Sequence, residues 1–110
     1  MTNNYRLILF LAFFPLLALH AMAQDIPEEA RKHLIRGKTA MDIAKNPGDF
    51  ELAIGEFNQA VTMAPEWDEP YLQLGKVYEK TKQYSLAIAS LKTFIALTKD
   101  TYKATEAKEK

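Results

Sequence analysis

The side chains with the reactivity to do chemistry are few and scattered. Histidine occurs twice, at His20 and His33, and cysteine not at all. A zinc site needs three or four ligands within reach of one another, and His33 has no histidine or carboxylate one helical turn further on. It reads as a surface or half-buried side chain. Two pairs of adjacent carboxylates, Glu28-Glu29 and Asp68-Glu69, would serve acid–base catalysis only if a shared cleft drove their pKa values apart. Both stand where a helix begins, and complementing the positive end of the helix dipole is the simpler role. Asp42 and Asp49 lack the spacing of a calcium loop. G-x-S-x-G, H-E-x-x-H and phosphate-binding glycine loops are absent. The chain is therefore read as a non-enzyme without cofactor or metal. Trp67, set between Pro65 and Pro70, has the makings of a partner-binding anchor, because tryptophan is favoured at interface hot spots. The plainer alternative is that it packs over a helix end.

What must position such residues is a repeated stripe. Phe50, Ala53, Ile54, Phe57, Ala60 and Val61 are matched 34 positions later by Tyr84, Ala87, Ile88, Leu91, Phe94 and Ile95. Both sets step i, i+3, i+4, i+7, i+10, i+11, which is one face of an α-helix. A fixed period of this size marks stacked repeats. The aromatic residues within it, with Tyr78, are accounted for as core rather than as a cofactor box.

Composition sets further bounds. The 110 residues suffice for one domain, with 48% apolar and 25% charged residues and zero net charge. No basic excess exists to hold a nucleic-acid backbone or an anionic membrane, so neither is expected as a partner. Residues 1–23 read as an export signal. Arg6 and the free amine precede an apolar run from Leu7 to Leu19, and Ala21-Met22-Ala23 supplies small residues for cleavage before Gln24. The run is short of the roughly 20 residues of a membrane span, so no stable anchor is expected once it is cleaved. The expected location is periplasmic or extracellular.

Residues 24–27 lead into a first helix that starts near Pro27 and runs to about Lys45. Asn46-Pro47-Gly48-Asp49 reads as a turn, with Asp49 capping the second helix, which ends at Pro65. A third helix, capped by Asp68 or Glu69, is expected over Tyr71 to Thr81, burying Tyr71, Leu74, Gly75 and Tyr78. The fourth carries the second stripe to Leu97. Residues 100–110, rich in Lys, Glu and Ala, are expected to form a partial C-terminal capping helix.

Tyr71-x2-Leu74-Gly75-x2-Tyr78 followed by Ala87-x3-Leu91 resembles the tetratricopeptide repeat signature. Ala53-x3-Phe57-x2-Ala60 and Pro65 look like the second half of the preceding repeat, and Gly48-Asp49-Phe50 is similar to the family's Gly-Asp-Tyr turn. The resemblance implies an all-α fold: two stacked helix-turn-helix repeats, over 28–65 and 66–99, with the tail at 100–110 as partial cover. The first repeat departs from the pattern. It is longer by about one helical turn, and Arg36 stands where the second has Leu74, which suits an uncovered end.

In the family, the first helix of each repeat lines a concave groove. Aligning Gly37 with Gly75 places Leu34, Lys38 and Met41 on that face, with Leu72, Lys76 and Glu79 as their counterparts. Such a mixed surface suits a short peptide or an amphipathic helix. The resemblance thus implies an exported scaffold or adaptor with a protein or peptide partner. The alternative is a self-associating structural module, forming a homodimer, or the N-terminal part of a larger exported protein.

Overall fold

A computed structural model describes residues 25–109. The signal segment read over residues 1–23 lies outside them, as does Lys110, and side chains are described as far as Tyr102. Among the described residues the chain forms four helices: α1 (Glu28–Ile43), α2 (Pro47–Met63), α3 (Glu69–Lys80) and α4 (Tyr84–Glu109). None is long and apolar enough to cross a membrane.

The start of α2 corrects the sequence reading. The residue before a proline is driven to extended backbone, and Asn46 lies there at φ −146°, ψ 167°. Pro47, with φ already helical and no N–H to satisfy, becomes the first helical residue. Asn46 is therefore the cap, not Asp49. Its side chain accepts from Asp49 N at 3.2 Å, while Asp49 Oδ2 accepts from Asn46 N at 3.3 Å and Lys45 N at 2.9 Å. This reciprocal pair is a capping box. The N-cap of α3 differs in the opposite sense. Asp68 has helical backbone and makes no side-chain cap.

The turn between α3 and α4 closes by backbone bonds. Gln83 N donates to Tyr78 O at 2.8 Å and Lys82 N to Glu79 O at 3.0 Å, with Lys82 at φ 62°. That is a Schellman motif with lysine in the left-handed position that glycine usually holds.

Within each pair the helices approach closely at a glycine. A Cβ on Gly37 would overlap the Phe57 ring, 2.6 Å from Cδ1, and one on Gly75 would lie 2.5 Å from Leu91 Cδ2. Gly37 and Gly75 are equivalent in the two repeats, as are Phe57 and Leu91, so both pairs share one contact. The core gathers around the first pair and its neighbour: Leu34, Ala53, Ile54, Phe57, Leu74 and Val77 are buried, with Phe50, Val61, Trp67 and Tyr78 packed against them. Ala60 and Ala87 are also buried. Helix α3 packs on α2 and on α4, and touches α1; α4 packs on α3 and on no other described helix.

Two sequence expectations change here. Tyr84 and Ile88, read as core, are 58% and 55% exposed, and Leu91 and Phe94 are half-buried, because among the described helices only α3 packs on α4. The tail from residue 100 continues α4 without a break as far as Glu109, rather than starting a separate covering helix.

The glycine contacts have a measurable consequence. Gly75→Ala forces Leu91 from its place and should cost about 1–3 kcal/mol in urea unfolding. Gly55, at an exposed position of α2 with nothing within 4 Å, is the control. Gly55→Ala should stabilise the chain by about 0.5–1 kcal/mol through helix propensity alone.

Candidate functional site

The residues expected on the groove face differ in burial. Leu34 is not on it. At 8% exposure it lies in the core cluster with Ile54 and Phe57 of α2 and Leu74 and Val77 of α3. Met41 and Leu72 are half-buried, and Met41 rests against the same core. Lys38, Lys76 and Glu79 are exposed, the last two lining a shallow depression of about 260 Å³ with Lys80. Of the apolar residues in that set, Met41 and Leu72 are thus the two left partly open.

The carboxylates do structural work in different directions. Glu69 Oε1 accepts from Gln73 Nε2 at 3.0 Å and faces Lys38 Nζ at 4.0 Å, joining α3 to α1. Gln73 is the buried polar side chain of the core, 6% exposed, and this bond satisfies it. Asp68 instead accepts from Thr98 Oγ1 on α4 at 3.1 Å. Neighbours in sequence, the two acids serve opposite helices and share no cleft, so they are not arranged as an acid–base pair.

His33 has a partner that local spacing does not disclose. Its Nδ1 lies 2.6 Å from Glu56 Oε2 on α2, with side chains 17% and 31% exposed. A carboxylate only accepts, so the imidazole donates its Nδ1–H across the first helix pair. Periodicity along α1 could not find this contact, because the partner stands 23 residues away on the facing helix.

Trp67 is half-buried and packs against the core, while its backbone N–H donates to Ala64 O at 3.1 Å. It also lines an open cleft of about 620 Å³ between the N-terminal segment Asp25-Ile26-Pro27 and the inter-repeat turn. Beside it Tyr71 donates its hydroxyl to Pro65 O at 2.8 Å, and burial raises the pKa of that phenol. Trp67 is thus part packing and part surface. Among the described residues no group of three histidines or acids could hold a metal ion.

Antiparallel helix pairs stacked through α2 and α3 define a helical repeat protein. Residues 68–101, α3 with the first part of α4, match the family model for the tetratricopeptide repeat, and that stretch is a repeat of this kind. The match begins at Asp68 and leaves the longer first pair outside it. No curated protein and no solved structure matches the chain significantly. Tetratricopeptide repeats are in general scaffolds for protein–protein contact and are typically non-catalytic.

The His33–Glu56 contact can be weighed directly. A double-mutant cycle with His33→Ala and Glu56→Ala should return a coupling of about 1 kcal/mol, the scale of a partly exposed charge-assisted bond. Additive single-mutant costs would show that the pair contributes nothing.

Proposed function

We propose that the chain is an exported adaptor that holds a short peptide or helix of a partner protein against the face shared by α1 and α3. The observation that carries this reading is the pair Met41 and Leu72. Each is half-buried on a first helix, on the face where the groove is expected, with exposed Lys38 one turn before Met41 and exposed Lys76 and Glu79 one and two turns after Leu72. Apolar side chains left partly open beside charges of both signs fit a segment with apolar anchors and polar flanks. Half-buried side chains already held by packing lose little entropy on binding, which favours recognition. Leu34 supports the face from beneath rather than touching a partner.

Peptide-display selection against the full chain tests the groove. Selected peptides should bind more weakly, by about tenfold, to Leu72→Asp, and charged positions within them should respond to Glu79→Lys. Unfolding curves of each variant separate lost binding from lost fold. Peptides indifferent to both substitutions would remove the groove as the site.

Export rests on the pattern of residues 1–23, a charged start, an apolar run and small residues before Gln24. In a bacterial host with a general secretion system, the protein recovered outside the cytoplasm should begin at Gln24 by N-terminal mass analysis. A chain retained in the cytoplasm with Met1 intact would exclude export.

A further inference from the structure

The two second helices carry the same stripe but not the same cover. Ile54 on α2 is 8% exposed, and its counterpart Ile88 on α4 is 55% exposed. Phe50 and Val61 are half-buried, while Tyr84 and Ile95 are 58% and 49% exposed. The difference is α3, which lies on α2; no described helix takes the corresponding place on α4. Tyr102, 64% exposed, extends the open stripe, whose members at 84, 88, 95 and 102 fall on one side of the helix over about 27 Å. This side is distinct from the one that meets α3, where Ala87 is buried and Phe94 half-buried.

We propose that this stripe is a docking surface for an amphipathic helix of another protein, with an aliphatic face and a carboxylate in its first turn. The chemistry of the occupant is read from α3. That helix sets buried Leu74 and Val77 into the core with Ile54 and Phe57, and its first-turn Glu69 reaches Lys38 on the preceding first helix. The equivalent of Lys38 beside the open place is Lys76. It is exposed and forms no ion pair among the described residues. Lys92 and Lys99, one turn beyond Ile88 and Ile95, are also exposed and border the stripe. An acidic helix is complementary to this border, and a basic one is repelled by it.

A second copy of the chain fits poorly. Stacked head to tail, it would offer α1, where Arg36 and Thr39 stand at the places of Leu74 and Val77, and Lys32 at that of Pro70. A guanidinium would then be buried without a partner at the centre of the contact. Antiparallel pairing of two α4 helices would bring the two lysine-bordered flanks of the stripe together, like charge beside like. The stripe alone is smaller than the roughly 800 Å² per partner of a standard interface, so the complex belongs to the weak, exchanging class. This surface does not depend on the groove reading.

The probe is an acetylated, fluorescent peptide of residues 66–83, which carries α3 with Glu69 in its first turn. By anisotropy it should bind the full chain saturably. Ile88→Asp and Ile95→Asp, both at exposed positions, should each weaken binding by about tenfold or more while circular dichroism stays unchanged. Lys76→Glu should also weaken it, and a Glu69→Lys peptide should regain affinity for that variant. Several results would overturn the proposal: no saturable binding, binding that ignores Ile88→Asp, or binding lost only on Leu72→Asp, which would put the peptide in the groove. So would a dimer in sedimentation velocity that Ile88→Asp dissociates, since a second copy would then own the surface.

Discussion

Each helix pair depends on one close approach, a glycine on the first helix against a large side chain on the second. Gly37 meets Phe57, and Gly75 meets Leu91, with no room for a Cβ in either place. A glycine within a helix costs about 1 kcal/mol relative to alanine. The cost is offset because the helices come close enough to bury Phe57 entirely, a side chain whose removal from a core costs about 3–5 kcal/mol. The approach also sets how the first helices present their outer sides. With Gly37 against α2, Leu34 turns under α3, while Met41 and Leu72 stay half-open.

The charged groups act on a smaller scale and divide the work by position. Lys38–Glu69 at 4.0 Å is half-exposed and contributes at most about 1 kcal/mol. Its larger effect is geometric, because Glu69 also satisfies buried Gln73 and so fixes where α3 begins relative to α1. Asp68 reaches the other way to Thr98 and ties the inter-repeat turn to α4. Two adjacent acids with the sequence look of a catalytic pair thus tie three helices together. The absence of a shared cleft between them follows from helix geometry, since neighbours in sequence point about 100° apart.

Helix α3 is the member that makes the stack. It is covered on both flanks, by α2 and α4, and its buried Leu74, Gly75 and Val77 show it. Helix α4 has the same apolar pattern as α2 but only one neighbour among the described helices, and so leaves Tyr84, Ile88 and Ile95 exposed. An exposed apolar stripe of this kind on a repeat protein is the unsatisfied half of a contact already made elsewhere in the same molecule. The outer face of α1 is more polar, with Lys32, Arg36 and Thr39 exposed, although Ile43 also lies open on it.

The sequence by itself determined the helices, their order and their pairing. Periodicity of 3.6 and a 34-residue offset are local and repetitive signals, and Pro and Gly punctuate the turns. It also marked Gly75, Leu74, Ala53 and Phe57 as core, and all four are buried. Cap identity was less legible. Asn46 rather than Asp49 begins α2 because Pro47 governs the backbone on both of its sides, an effect that reading the four residues as one turn conceals. Only the tertiary structure decided which copies of the stripe are covered. Ile54 and Ile88 have the same neighbours in pattern, and nothing local distinguishes them. Burial is a property of what lies across the surface, and α3 lies across one and not the other. The same reason hid the His33–Glu56 contact and moved Leu34 from the groove to the core, since each was settled by a helix distant in sequence.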